Sequence, residues 1–208
     1  MEESAIRIYV KFIEKFPNDP RVSQIPQKAV IRATKQQPVK APTPPKEMLQ
    51  SIDKAEASEL FQRALEHYER KEWNKAIDLY DEVLRLNPKN SNAAYNKGLI
   101  YKTMNDNQKA KEAFSQSLSI NPDTYKARYM LALIYREENT PEKAVEELNS
   151  ALRTKPDYSD AHYVLGITYW KLMKYDTAMT HFKRYLQIDP KGKYAKTVQD
   201  YIDKRQQR

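Results

Sequence analysis

The chain has 208 residues, 40% of them hydrophobic and 31% charged, with 36 Lys and Arg against 28 Asp and Glu. This is room for one large or two small domains of an ordinary polar-surfaced protein. Only three glycines and no cysteine occur, which disfavours an all-β fold and a Gly-rich phosphate loop and excludes disulfides, thiolate nucleophiles and zinc–sulfur centres.

Residues 1–19 come first. Ile6, Tyr9, Val10, Ile13 and Phe16 form an apolar stripe at helical spacing, so the segment reads as an amphipathic helix. Residues 20–50 follow as a linker. Six of the twelve prolines fall between Pro20 and Lys46, and Arg21, Lys28, Arg32, Lys35, Lys40 and Lys46 lie there without an acidic residue. Basic charge gathered in tails is read as solubilising, so no nucleic-acid partner is expected. No stretch is apolar for long enough to span a bilayer, and residues 1–16 have no secretory core. These features predict a cytoplasmic protein without a transmembrane segment, a removed leader being the open alternative.

Residues 51–192 carry an internal repeat. Pro88, Pro122, Pro156 and Pro190 are spaced by 34 residues. Ala76, Ala110, Ala144 and Ala178 keep the same step, as do Leu84, Leu118, Leu152 and Leu186. Ala64, Gly98, Ala132 and Gly166 form a small-residue series; His67, Tyr101, Tyr135 and Tyr169, then Tyr80, Phe114, Leu148 and Phe182, form large ones. Each block holds two helical stretches that approach over the small residues, and each proline ends the second helix. Thr140-Pro141 reads as an N-cap hydroxyl followed by a first-turn proline. One pair cannot bury its own face, so stacked pairs are expected to form an all-α, right-handed superhelical solenoid. Residues 193–208 place Tyr194, Val198, Tyr201 and Ile202 on one face, as a C-terminal capping helix requires.

The small–Tyr–Ala–aromatic–Pro order resembles the tetratricopeptide repeat (TPR) family over Ala57 to Gly192, four repeats. The family's large residue early in the first helix is replaced by Leu60, Ala94, Arg128 and His162, and His67 stands where later repeats have Tyr. Ala5, Tyr9, Ile13 and Pro17 echo the spacing of Ala76, Tyr80, Leu84 and Pro88, a possible half-repeat.

No catalytic constellation is found, and a non-enzyme without cofactor or metal is expected. His67 sits at a packing position, and His162 and His181 lie on different helices with no acidic partner at helical spacing. The resemblance places the first helices on a concave side. Their inward face carries Phe61, Tyr95, Tyr129 and Tyr163; then Leu65, Leu99, Leu133 and Ile167; then Tyr68, Lys102, Arg136 and Trp170. With Lys126 these predict a groove for an apolar or aromatic peptide or helix. The alternative is a clamp for acidic C-terminal tails, as in co-chaperones of the family. Asn96 and Lys126 match that pattern, but Phe61, Leu65 and Met130 occupy places that want Lys, Asn and Arg. A regulatory or targeting part of a larger assembly is the third reading. Residues 1–19 are further expected to dock on a concave or terminal face, in the same chain or in a swapped dimer.

Overall fold

A computed structural model describes residues 2–25 and 45–206, and among them every regular element is helical. The central part of the expected linker, 26–44, lies outside the described residues. The chain divides into two compact units, Met1–Pro88 and Lys89–Arg208.

The first unit holds α1 (Glu2–Lys15), a 3-10 turn (Pro20–Gln24), α2 (Lys46–Glu69) and α3 (Trp73–Leu86). Helix α2 begins at Lys46, inside the span read as linker, and has 24 residues where later first helices have 13. About three turns therefore precede the repeat, and α1 docks on them. Tyr9, Phe12, Ile25, Met48 and Ile52 form one buried cluster. Lys11–Glu56 at 2.8 Å and Lys15–Glu59 at 3.1 Å flank it. The Arg21 guanidinium lies 5.0 Å from the centre of the Phe12 ring and donates to Ser51 Oγ at 3.2 Å. Hydrogen bonds from the side chain and backbone of Arg21 also hold the Asp19 carboxyl at about 2.

The echo of a second helix is present in burial. Ala5, Tyr9 and Phe12 are buried as Ala76, Tyr80 and Val83 are. The arrangement differs. Both ion pairs advance in the same sense along α1 and α2, so the two helices run in parallel, whereas short links make consecutive repeat helices antiparallel. Helix α2 explains the difference. Where Ala127 and Ala161 pack on a preceding hairpin, α2 has Glu59; where Ile134 does, it has Glu66, and both glutamates are exposed. At Glu59 the contact made by α1 is therefore polar, the ion pair with Lys15, while its apolar stripe settles on Met48 and Ile52, not on the aromatic ladder.

The second unit holds α4 (Ser91–Thr103), α5 (Asn107–Ile120), α6 (Tyr125–Glu137), α7 (Pro141–Thr154), α8 (Ser159–Lys171), α9 (Tyr175–Ile188) and α10 (Ala195–Gln206). In both units the turn inside each hairpin repeats one motif. Lys71, Asn105, Asn139 and Met173 have φ near +60°, between 56° and 60°. The next N–H then reaches back five residues, as from Asp106 to Tyr101 O at 2.9 Å and from Lys174 to Tyr169 O at 2.9 Å, which satisfies carbonyls at the helix end. None of the four is glycine. The αL conformation costs a side-chain-bearing residue about 1 kcal/mol, least for Asn. Met173, 74% exposed, gains no packing in return. Met173→Asn is expected to raise stability by about 0.5–1 kcal/mol, read as a higher urea midpoint; no gain would mean that the strain is relieved locally.

Thr140 corrects one local reading. Its hydroxyl donates to Tyr135 O at 2.9 Å, closing the end of α6, and makes no cap bond to α7. Pro141 does open α7 as expected. The core follows the repeat series. Ala110, Ala144 and Ala178 are fully buried, and so are Phe114, Leu148 and Phe182. The small residues matter by contact: a Cβ at Gly98 would meet the Phe114 ring at 2.5 Å, and one at Gly166 the Phe182 ring at 2.4 Å.

Helix α10 seals the last hairpin. Val198 and Ile202 join Phe182 and Tyr185 in one cluster, and Tyr194 N–H donates to the Tyr185 hydroxyl at 3.0 Å. The helix keeps the register of a first helix: Ala127, Ala161 and Ala195 share the step, as do Ile134, Thr168 and Ile202. It departs on the side that would face a second helix. Gly166 and Tyr169 meet Phe182 and His181 of α9, but the matching places in α10 are Asp200 and Asp203, both exposed.

Candidate peptide-binding face

The first helices of the second unit carry most of the expected ladder. Tyr95, Tyr129 and Tyr163 share the 34-residue step and are all half-buried. Each leans on a ring outside its own helix: Tyr95 on Phe114 at 5.7 Å, Tyr129 on Tyr158 at 5.1 Å, and Tyr163 on Tyr185 at 5.9 Å. Tyr163 also stacks face to face on Tyr194 at 3.8 Å. Each rung thus spends part of its surface on packing and leaves part open. Leu99, Leu133 and Ile167 are likewise half-buried and join the hydrophobic clusters between hairpins.

Tyr158 and Tyr194 are the rings that the repeat series does not point to. They stand beside the starts of α8 and α10, off every 34-residue series. Tyr158 bridges Tyr125 and Tyr129, each at 5.1 Å. Tyr194 is signalled in the sequence only as part of the capping face, and for Tyr158 the one hint is the number of tyrosines, 15, beyond those the core series uses.

Electrostatics separate the cations of the face. Lys102 is closed by Glu137 at 2.7 Å, and Asn107 donates to the same carboxylate at 3.3 Å. Arg136 has no carboxylate partner among the described residues and acts electrostatically on Tyr129 and Tyr163. Lys126 is exposed at the start of α6. Burial, reinforced by the Asp160 carboxylate, pushes the Tyr129 hydroxyl far above its ordinary range; burial does the same to Tyr158, and pushes Tyr163 up as well. These phenols stay protonated, so each hydroxyl keeps a proton to offer a ligand acceptor.

The last rung, Trp170, is packed edge-on between Tyr175 at 5.0 Å and Tyr201 at 4.9 Å, so α10 covers part of it. Phe61 and Tyr68 belong to the first unit. Phe61 leans on Tyr80 at 5.5 Å, and Tyr68 on Trp73 at 5.5 Å. His67 pairs with Glu72 beside that hairpin turn. Among the described residues no group of three or more His, Cys, Asp or Glu side chains is placed to hold a metal ion, and no helix is long and apolar enough to cross a membrane.

Comparison with known proteins agrees with this geometry. The profile of the TPR repeat matches residues 64–105, and that of anaphase-promoting complex, cyclosome, subunit 3 matches residues 104–185. No curated protein sequence matches significantly. A crystal structure of MamA superposes with a TM-score of 0.60 at 22% identity, over 70% of this chain and 86% of that one. MamA 41-end from Desulfovibrio magneticus gives 0.57 at 18% identity, over 93% of this chain and 99% of that one. PilF of Pseudomonas aeruginosa gives 0.66 at 16% identity, over 74% of this chain and 71% of that one. At such identities the likeness speaks for the fold. With its 34-residue hairpins, their αL turns and a sealing last helix, the chain belongs to the tetratricopeptide repeat family and is an all-helical solenoid scaffold of the protein-binding kind.

Proposed function

We propose that the face formed by α4, α6 and α8 binds an apolar or aromatic peptide or helix, with Arg136 as its polar anchor. The observation that carries this reading is Arg136 itself, a cation without a carboxylate among half-buried tyrosines, while Lys102 nearby is neutralised by Glu137. A ligand that covers Tyr95, Tyr129 and Tyr163 buries ring area and offers Arg136 one acceptor oxygen. Tyr and Arg in such a setting are the residue types that concentrate binding energy. Lys126 lies at the edge and adds steering more than affinity.

The acidic-tail clamp fits less well. It needs several free cations on the first helices. Phe61, Leu65 and Met130 supply none, and Lys102 is already paired. One matching profile is named for a subunit of a large assembly, which accords with an adaptor that works within a complex.

The test pairs Tyr95→Ala with Arg136→Glu; because Tyr95 also packs on Phe114, the helical spectrum is read beside binding. The doubly changed protein is expected to keep its helical spectrum and to lose at least about 30-fold in affinity, the weight of a 2 kcal/mol hot spot, for whatever protein the unaltered chain retains. Unchanged retention of every such protein would remove this face from consideration.

A further inference from the structure

In the third repeat, Arg128 on α6 and Glu147 on α7 form an ion pair of 3.2 Å, and the Arg128 guanidinium also reaches Pro122 O at 3.4 Å. Thirty-four residues on, the same three places hold His162, His181 and Pro156. The geometry repeats. His162 Nε2 lies 3.0 Å from Pro156 O, and its Nδ1 lies 3.1 Å from Nδ1 of His181. The two histidines, on different helices and without an acidic partner in the sequence pattern, are each other's partner. The second repeat has Ala94 and Ala113 at these places and the first has Leu60 and Leu79, so the fold does not require a polar pair.

The tautomers follow from the acceptors. A carbonyl only accepts, so His162 carries its proton on Nε2 and offers Nδ1 as a lone pair. His181 then donates its Nδ1–H. One added proton can be taken up without losing the bond: it settles on His162 Nδ1, and His181 moves its own proton to Nε2, so donor and acceptor exchange. A second proton leaves two charged rings with N–H groups facing each other, and no hydrogen bond can form between them.

The surroundings do not offset that charge. On α9, Arg184 acts on His162 and opposes its protonation. On α8, the Tyr169 ring stacks on His181 at 5.7 Å. Asp160 faces Lys193 at 3.8 Å, and Asp176 faces Arg205 of α10 at 3.6 Å. From α7, Ala144 and Leu148 share an apolar cluster with Ala161, Val164 and Leu165 of α8, and Val145 and Leu152 pack against it. Among the described residues no carboxylate contacts either ring.

We propose that His162 and His181 form a proton-operated clasp between α8 and α9, closed with no or one extra proton and opened by the second. Opening it loosens the hairpin that carries Tyr163 and Trp170 and on which α10 sits, so the C-terminal edge of the proposed binding face becomes sensitive to acid.

Burial lowers both rings, His181 to about 4 with the charge on His162 as second cause. A base held below its unfolded value of about 6.5 contributes stability that is whole above that pH and lost progressively as pH falls toward the folded value. The window of loss therefore runs from about 6.5 down toward 4.

Imidazole nitrogen resonances of the full chain, followed with pH, test the clasp together with amide exchange. The two rings are expected to titrate as a coupled pair, in two steps more than about one pH unit apart. Exchange in residues 159–188, corrected for its intrinsic pH dependence, should rise at least about tenfold between about pH 7.5 and about pH 5, while residues 91–120 change little. His162→Arg with His181→Glu installs the pair of the third repeat and should abolish the response. Should that protein fail to fold, His181→Gln leaves one ring and should give a single titration with a smaller response. Independent titration of both rings near 6.5, or an unchanged acid response in either variant, overturns the proposal.

Discussion

Val198→Asp is expected to cost about 3–5 kcal/mol, because it places an unpaired carboxylate where no partner can reach it. Val198 is fully buried among Phe182, Tyr185 and Ile202. The loss is not confined to one side chain. Helix α10 also stacks Tyr201 on Phe182 at 5.0 Å, and the turn before it stacks Tyr194 on Tyr163 at 3.8 Å. A detached α10 therefore bares Phe182, Tyr185 and Trp170 together. In a domain of this size each kcal/mol moves the melting temperature by about 2–4 °C, so a fall of roughly 6–20 °C follows if the unit melts as a whole. If the last hairpin melts alone, as neighbour-limited contacts in repeat arrays permit, an early separate transition appears instead. Deleting residues 194–208 should have the same effect and raise dye binding to exposed apolar surface. A melting curve unchanged by both would show that α10 does not seal the last hairpin.

Gly98→Ala is the second large effect, and its sign runs against helix propensity. Alanine inside a helix is favoured over glycine by about 1 kcal/mol. Here the new methyl meets the Phe114 ring at 2.5 Å, and that ring is fully buried with Tyr95 against it. Overpacking of this kind costs about 1–3 kcal/mol and here outweighs the propensity gain. The third repeat shows another solution at the same two places, Ala132 facing Leu148, both fully buried. Gly98→Ala combined with Phe114→Leu should therefore recover much of the loss, with a coupling of about 1–2 kcal/mol in a urea double-mutant cycle. Additive single effects would mean that the ring can move aside and that the small-residue series reflects only chain history.

The 34-residue step made the hairpins and their core legible, because a repeated unit must bury the same positions each time. Ala110, Phe114 and Leu148 could be placed inward from spacing alone. What spacing does not carry is the fate of long side chains at the edges. Lys102 and Glu137 are 35 residues apart and meet only because consecutive first helices lie side by side. Each is an unremarkable surface charge in the sequence, so the ladder that includes Lys102 gives no sign of its partner. The covering of Trp170 by Tyr201, and of Tyr163 by Tyr194, depends likewise on where α10 lands. The alliance of His162 with His181 was hidden because the pair it replaces, Arg128 with Glu147, shares its place but not its chemistry. The course of α1 beside α2 escaped for a different reason. An apolar stripe reports how much surface a helix must bury, not the direction in which it lies against its partner.

The two exposed pairs, Glu59 with Glu66 on α2 and Asp200 with Asp203 on α10, have a bearing on how such a chain can change in length. Both stand where inner hairpins present Ala, Ile, Gly or Tyr to a neighbour. Each pair acts as a terminator: a hairpin stacked there would have to strip a carboxylate of its water or, at Glu59, of its Lys15 partner. A genetic duplication of an inner 34-residue block keeps both terminators and yields a longer array of the same kind. A block appended beyond either terminator meets a carboxylate where an inner hairpin would offer it a methyl or a ring.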